Sequence, residues 1–248
     1  GYSTGQNKNI AATDYGWALG KGGVSLIKLD NGNVENSALA VVQSTYNTGY
    51  MVGDIRFAGL AGNGTADEER EDRSVKGNDL TETGTIDSAV VATGAELYGY
   101  SGFSASDYLS QAYDADFDFG TGDFSVMVWY KGASSGTEMF FGRATSGSGN
   151  YRWYVYLDSG ERLNFYAHDT TSVGVQSSAT PSANWTQAVI LRRSGKLYIY
   201  VNGEEAATPV ACTKDIDQGS GALIAVGTDP YSVGTNNYSG SLSLLRIS

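Results

Sequence analysis

From about residue 80 to the end of the chain, short apolar or aromatic runs alternate with clusters of Gly, Ser, Asn and Asp. Short strand-like runs separated by turn residues at close intervals are typical of antiparallel sandwiches and barrels. No stretch of the chain shows the periodicity of an amphipathic helix. The pattern therefore predicts an all-β protein built as an antiparallel β-sandwich.

Several of these runs predict particular strands. Residues 124–130 are apolar at both parities, which predicts a central strand with both faces covered. Residues 151–157 with 162–168, and residues 185–191 with 196–201, predict two hairpins, the second with its turn at 192–195. Residues 222–226 and 241–247 predict two further strands.

The charge balance narrows the classes of partner. The chain has 27 acidic and 16 basic residues and a net charge of −11 at pH 7. Proteins bind a nucleic-acid backbone through a surplus of basic residues that releases counterions, and this chain has no such surplus. Acidic membranes are disfavoured for the same reason. We therefore expect no nucleic-acid partner and no membrane partner.

Cysteine and histidine each occur once, as Cys212 and His168. The chain therefore forms neither an internal disulfide nor a Cys/His zinc site, and packing alone must stabilise the fold. No apolar run approaches the roughly 18 residues of a membrane span, and no signal-peptide pattern opens the chain. Since the sequence begins with Gly1 rather than methionine, we expect part of a longer polypeptide or a processed product.

Composition divides the chain into three regions. Residues 1–66 contain strand-like runs at 23–29 and 38–42, and this β-rich segment is either the tail of an upstream domain or packs on the downstream sandwich. Residues 67–79 contain a dense cluster of charges between glycines, which predicts a solvated linker or loop. We place the domain boundary there, so that residues 80–248 form the sandwich.

Strand parity predicts a candidate binding surface. Successive side chains of a strand point to opposite faces. In the strands at 151–157, 162–168 and 196–201, one parity is apolar throughout. The other parity carries aromatic and polar side chains, namely Arg152, Tyr154, Tyr156, Asn164, Tyr166, His168, Tyr198 and Tyr200. If the three strands lie in one sheet, these eight side chains form one broad surface.

A surface of this composition suits sugar binding. Tyrosine rings stack on the apolar faces of pyranoses, while Asn, Arg and hydroxyl groups hydrogen-bond to sugar hydroxyls. Tyrosine also has a high strand propensity, and a half-buried tyrosine can simply pack beneath a loop. The sequence leaves both interpretations open.

Two segments carry potential calcium ligands. Residues 113–120 contain three alternating aspartates, but an EF-hand loop needs a glycine and a glutamate where this chain has Phe119 and Ser125. A turn leading into the central strand is the preferred interpretation. Residues 229–238 form a polar and aromatic loop that could hold calcium or sugar, or be a long turn between the last two strands, which we prefer.

The chain lacks the motifs of catalysis that such folds use. Retaining glycanases need two carboxyl groups about 5 Å apart, and no Glu-x-Asp-x-x-Glu motif occurs. His168 would have to serve any Ser-His-Asp arrangement, and no Gly-x-Ser-x-Gly elbow occurs. We interpret His168 as a residue of the sheet face and expect that the chain is not an enzyme.

Four segments resemble, in order, the landmarks of the laminin-G-like, concanavalin A-like jelly-roll superfamily. They are residues 122–129, 185–191, 195–203 and 238–247, and residues 72–80 resemble the usual opening of that family. The resemblance covers about residues 70–248 and implies two curved antiparallel sheets, usually without catalysis. It also implies binding of glycans or proteins, with calcium in some members. No loop here matches a calcium-liganding pattern, so calcium is a candidate cofactor without assigned ligands.

The N-terminal region carries a second resemblance. Residues 22–28 and 46–56 resemble segments of large tail-associated or virion structural proteins of marine bacteriophages. In those proteins a laminin-G-like module is preceded by repetitive β-structure. This resemblance implies a viral structural protein of the tail-fibre type, located in the virion or outside the cell.

The sequence supports three hypotheses. The first is a non-catalytic tail fibre or other virion appendage that binds a host surface polysaccharide for attachment or mediates assembly with other virion proteins. A homo-oligomer is expected, because several copies on one particle supply avidity. The second is a secreted bacterial glycan-binding or glycan-active module. The third is a structural coat or filament subunit whose tyrosines are buried against a neighbour.

Overall fold

The computed structural model describes residues 55–64, 67–132, 136–145, 151–179, 183–217 and 221–248, and the backbone of two strands at 15–20 and 23–28. These residues are all-β apart from a single 3-10 turn, Ala115–Phe117. This part of the chain contains no helix long and apolar enough to cross a membrane. The predicted fold class is confirmed.

The strands have these bounds, in chain order: β1 Tyr15–Gly20, β2 Gly23–Lys28, β3 Phe57–Gly59, β4 Thr81–Thr83, β5 Asp87–Val90, β6 Tyr98–Ser101, β7 Tyr108–Gln111, β8 Phe124–Lys131, β9 Glu138–Thr145, β10 Arg152–Leu157, β11 Arg162–His168, β12 Ser172–Ala179, β13 Thr186–Arg193, β14 Lys196–Val201, β15 Glu204–Glu205, β16 Val210–Ala211, β17 Ala222–Val226 and β18 Ser241–Ile247. The strands expected at 124–130, 222–226 and 241–247 correspond to β8, β17 and β18. The run expected at 38–42 lies outside the described residues.

Two antiparallel sheets form the sandwich. Seven of the described strands make one sheet, the seven-stranded sheet, in the order β12-β11-β10-β9-β17-β7-β4. Nine make the other, the nine-stranded sheet, in the order β15-β14-β13-β8-β18-β6-β5, with β16 beside β14 and β3 beside β18. Both predicted hairpins form, β10 with β11 and β13 with β14. β8 lies between β13 and β18, as expected for a central strand, but only one of its faces lies in the core, since Ser125, Met127 and Trp129 on the other face are only half-buried. β1 pairs with β2.

Aromatic side chains connect the two sheets across the core. Phe124 of β8 contacts Phe165 of β11 with ring centroids 5.5 Å apart. Tyr130 of β8 contacts Phe140 of β9 at 4.8 Å. Trp153 of β10 is 1% exposed in the same cluster. Burying one large apolar side chain contributes about 1.5–3 kcal/mol, so these contacts are a principal source of stability.

A buried arginine, Arg192, lies near the end of β13. The sequence suggests a turn at 192–195, but β13 continues to Arg193 and the turn lies at Ser194 and Gly195, with φ angles of 51° and 71°. Two consecutive positive φ angles are the type I′ geometry that tight hairpins favour. Arg192 is 1% exposed, and its guanidinium donates to three backbone carbonyl oxygens. The observed turn is therefore two residues long rather than four. Arg192 can remain in the strand because these acceptors compensate for the burial of its charge.

The sandwich begins upstream of the expected boundary at residue 80. β3 pairs with the C-terminal strand β18, and Phe57 of β3 is 1% exposed in the core. Residues 67–79 form a loop that is anchored to the sandwich, since the buried Asp72 carboxylate accepts hydrogen bonds from the amides of Ala58, Ser74 and Asn78. The cluster of charges in the sequence does not predict these contacts, because it does not show which backbone amides the Asp72 carboxylate will contact in the folded chain.

Candidate functional site

Six of the eight candidate residues form three cross-strand pairs on the outer face of the seven-stranded sheet. The pairs between β10 and β11 are Arg152 with His168, Tyr154 with Tyr166, and Tyr156 with Asn164. We call these six residues the tyrosine face. The alternate residues of both strands, such as Trp153 and Phe165, lie in the core. The predicted assignment of faces is confirmed for this hairpin.

Tyr154 lies close to the backbone at the centre of the tyrosine face. Its neighbour on β9 is Gly142, where a Cβ atom would lie 2.7 Å from the tyrosine Cδ1. The ring occupies the space that a larger residue would fill, and Tyr154 is only 7% exposed. The Tyr166 ring lies 6.0 Å from that of Tyr154, with an angle of 13° between the planes, and 6.4 Å from the His168 imidazole. Of these three neighbouring rings, those of Tyr166 and His168 are only half-buried and remain accessible.

The loop between β17 and β18, residues 227–240, lines one side of the tyrosine face. Its Tyr231 ring centroid lies 4.8 Å from the guanidinium carbon of Arg152. The same guanidinium carbon lies 5.7 Å from the ring centroid of Tyr166. A guanidinium within about 6 Å of a ring centroid is attracted by the ring quadrupole. Arg152 thus connects the sheet to the loop.

Hydrogen bonds hold this loop in place. Asp229 accepts from the backbone amide of Tyr231 at 2.9 Å and from Asn236 Nδ2 at 3.1 Å. The carboxylate of Glu138, at the start of β9, accepts from the amide and the hydroxyl of Ser239 at 2.9 and 2.8 Å. Both carboxylates are mostly buried. The loop is therefore a fixed wall of the site.

The tyrosine face and the β17–β18 loop line an open groove of about 310 Å³. Small-molecule sites typically begin at about 300 Å³. Its lining consists of Thr137, Met139, Arg152, Tyr154, Tyr156, Tyr166, Asp229 and Tyr231. Burial raises the pKa of the Tyr154 hydroxyl, the Asp229 carboxylate raises it further, and Arg152 opposes the shift. Burial also raises the pKa of Tyr156. Both hydroxyls therefore stay protonated at neutral pH and can donate hydrogen bonds.

Residues 103–248, more than half of the chain, match the family model described as the concanavalin A-like lectin/glucanases superfamily. The chain belongs to this superfamily. No curated protein matches it. The family resemblance noted in the sequence is therefore confirmed over residues 103–248, and we call the described sandwich that contains them the concanavalin A-like module.

Solved structures share the fold of the concanavalin A-like module. The binding domain of Paraclostridial mosquitocidal protein 1 is 14% identical, with 78% of this chain and 48% of that chain covered and a TM-score of 0.57. Domain 4 of AbnA, an extracellular arabinanase from Geobacillus stearothermophilus, is 17% identical, with 77% and 92% covered and a TM-score of 0.54. Botulinum neurotoxin type C is 12% identical, with 77% and 47% covered and a TM-score of 0.52. This chain thus spans about half of the mosquitocidal and botulinum chains, and likeness at these identities shows the fold alone.

Tyr198 and Tyr200 of the module lie apart from the tyrosine face. They belong to β14 of the nine-stranded sheet, where their rings lie 6.4 Å apart, and Arg193 lies over the Tyr198 ring at 4.9 Å. The broad surface expected from all three strands is therefore corrected to the β10–β11 hairpin. Strand parity gives the face of each strand, but long-range pairing decides which sheet the strand joins.

Asn164 is a buried member of the tyrosine face. It is 5% exposed, and its amide nitrogen donates to the Arg162 carbonyl oxygen at 2.7 Å. Its amide oxygen accepts from Gln176 at 2.8 Å. Because both ends of the amide are engaged within the protein, Asn164 positions neighbouring strands.

Within the described part of the module, no group of three or more His, Cys, Asp and Glu side chains is placed to hold a metal ion. The three alternating aspartates before β8 face different partners. Asp114 caps the 3-10 turn, Asp116 pairs with Lys76 at 2.9 Å, and Asp118 pairs with Arg143 at 2.5 Å. The preferred interpretation of this segment as a turn is confirmed.

The structure adds residues to the site that strand parity did not select. Met139 lies at the start of β9 and Thr137 just before it, and Asp229 and Tyr231 come from the β17–β18 loop. The polar and aromatic composition of that loop was the available signal, but no local pattern relates it to the β10–β11 hairpin. Tertiary packing brings the two segments together.

Proposed function

We propose that this chain is a carbohydrate-binding module without catalytic activity, and that glycan occupies the groove of the tyrosine face. The observation that carries the proposal is the meeting of Arg152, Tyr154 and Tyr166 with Tyr231 around one open groove. Aromatic rings pack on the apolar faces of sugars, and phenol and guanidinium groups hydrogen-bond to sugar hydroxyls.

Proteins of the same fold support this class of ligand. Domain 4 of AbnA was determined in complex with arabinotriose. Botulinum neurotoxin type C depends on interaction with two ganglioside molecules to enter cells. The location of the site in this chain is argued from its own groove, since sequence identity to these proteins is low.

Direct binding to a panel of bacterial surface polysaccharides tests the proposal. Tyr166→Ala and Arg152→Ala should each weaken binding by about tenfold or more, which corresponds to about 1.4 kcal/mol. Tyr198→Ala and Tyr200→Ala are matched controls, because they remove a stacked tyrosine pair from the other sheet. Full affinity in folded Tyr166→Ala and Arg152→Ala variants, or equal losses in the controls, would refute the assignment of the site.

The same panel separates binding from catalysis. We expect bound polysaccharide to be recovered intact, with no reducing sugar released over hours. Release of reducing ends would favour a glycan-active enzyme. Repeating the panel with calcium and with chelator shows whether calcium takes part in recognition.

We further propose that the module acts as a homo-oligomeric virion appendage, outside the cell. The resemblance of residues 22–28 and 46–56 to bacteriophage virion proteins supports this setting. Antibodies to the chain should then bind to purified particles of the phage that encodes it. Undecorated particles would favour a secreted module, whereas decoration without polysaccharide binding would favour a structural subunit.

A further inference from the structure

A second concavity lies on the outer face of the nine-stranded sheet, opposite the tyrosine face. It has a volume of about 260 Å³. We call it the tryptophan pocket, and its lining consists of Val91, Ala92, Leu97, Trp129, Trp185, Ser243 and Leu244. The β5–β6 loop forms one wall, and the sheet forms the floor. No part of its lining is shared with the groove of the tyrosine face.

The walls of the tryptophan pocket are preformed. Trp185 donates its indole N–H to the Val91 carbonyl oxygen at 2.9 Å. Its ring lies against Gly99, where a Cβ atom would be 2.6 Å from two ring carbons. The β5–β6 loop is closed by the hydrogen bond from the Val91 amide to the Leu97 carbonyl oxygen at 2.9 Å. An occupant would therefore meet a surface that needs little reorganisation.

The chemistry of the pocket differs from that of a sugar site. The Ser243 hydroxyl, a polar group of the lining, donates to the Tyr98 carbonyl oxygen at 3.0 Å. The indole N–H of Trp185 is likewise engaged, and no charged side chain is among the described lining residues. A sugar buried here would leave its hydroxyls without hydrogen-bond partners, which is unfavourable. An apolar group would instead be stabilised by removing its surface from water.

The volume of the pocket indicates the size of the occupant. At about 260 Å³ the pocket is close to the lower limit of small-molecule sites and has room for one compact group. Gln187 lies opposite Trp129 on β13, and the next outward residue of β8 is the exposed Lys131, so polar side chains border this end of the pocket. Beyond Gln187 the outward faces of the two strands continue with the half-buried Met127, Val189 and Leu191.

We propose that the tryptophan pocket binds a small uncharged molecule through an aromatic group of about two fused rings. The two indoles and Leu97 pack against this group, and recognition depends on shape and desolvation. The proposal does not rest on glycan binding at the tyrosine face.

The neutral fluorescent probe N-phenyl-1-naphthylamine tests the proposal on the full chain. Saturable binding of one probe per chain is expected, with a change in tryptophan emission. Ala92→Trp, at an exposed position, fills the mouth of the pocket, and Leu97→Asp places a charge in its wall. Each should weaken binding by about tenfold or more. Val75→Asp, at a residue that is 72% exposed elsewhere, is the matched control and should bind the probe normally.

Other outcomes overturn the proposal. They are absence of saturable binding, or equal affinity in the folded wild type, Ala92→Trp and Leu97→Asp. Self-association that Leu97→Asp abolishes, without probe binding, would assign the pocket to a second copy of the chain instead. Tyr166→Ala should retain probe binding, so failure of the glycan proposal and failure of this one are distinguishable.

Discussion

Gly142 and Tyr154 lie side by side on β9 and β10, and the tyrosine ring takes the space where a side chain at residue 142 would begin. A Cβ atom at Gly142 would also lie 2.6 Å from the backbone oxygen of Trp153. Moving the ring alone therefore cannot relieve the clash. The absence of a side chain at residue 142 is what lets the Tyr154 ring lie close to the backbone of β9 at the floor of the groove.

Gly142→Ala should thus damage both stability and glycan binding. We expect a loss of about 1–3 kcal/mol in the free energy of unfolding, as for an overpacked core position. Polysaccharide affinity should fall as Tyr154 is displaced. Gly136→Ala is the control, because a Cβ there meets nothing within 4 Å. Chemical denaturation and binding measurements on both variants check the prediction, which fails if the two behave alike.

Glu138→Gln should loosen the loop that carries Tyr231. The carboxylate accepts two hydrogen bonds from Ser239, and bonds to a charged group contribute about 1.5–3 kcal/mol. We expect glycan affinity to fall several-fold, although Glu138 itself is not part of the groove lining. Hydrogen exchange of residues 229–239 should increase. Glu204→Gln, at an exposed edge position, should change neither quantity.

Arg192→Met should be strongly destabilising. The variant removes the hydrogen bonds that the buried guanidinium donates to three backbone carbonyl oxygens, those of Gly120, Gly122 and Lys214. We expect a loss of about 3 kcal/mol or more in the free energy of unfolding. Arg193→Met, at the adjacent exposed position, should cost less than about 0.5 kcal/mol. Equal denaturation midpoints for the two variants would show that the hydrogen bonds of Arg192 do not stabilise the fold.

Asp169 should make stability depend on acid pH. Burial alone would raise its pKa, but the Lys214 ammonium, 2.9 Å away, and the amides of Thr171 and Thr170 outweigh burial and hold the pKa below its ordinary value of 3.8. The carboxylate therefore stabilises the fold above pH 3.8, and this contribution is lost as the pH falls toward the lower folded-state pKa. Because the pair lies near the surface, the effect should be about 1 kcal/mol at most.

Asp169→Asn and Lys214→Met provide the test of this pH dependence. Each should lower stability at neutral pH, and the difference from the wild type should shrink in the acid range below pH 3.8. Denaturation at several pH values measures the difference. A gap that stays constant with pH would show that the ion pair is not its source.

Local patterns sufficed for the β10–β11 hairpin. Its two strands are separated by a short turn, so the alternation of Trp153, Val155 and Leu157 with their polar neighbours predicts both the pairing and the buried face. The same reasoning could not place Tyr198 and Tyr200. Their hairpin joins the other sheet because β13 pairs with β8, a contact between segments far apart in the chain.

The sequence by itself determined the β class, the main hairpins and the family, because these depend on period-two alternation and turn residues within short windows. Only the tertiary structure decided that Tyr231 meets Arg152, that Phe57 belongs to the core, and that two indoles border a pocket behind the tyrosine face. Each of these depends on which strands become neighbours in a sheet. That choice is made by the packing of the whole core, which no local segment encodes.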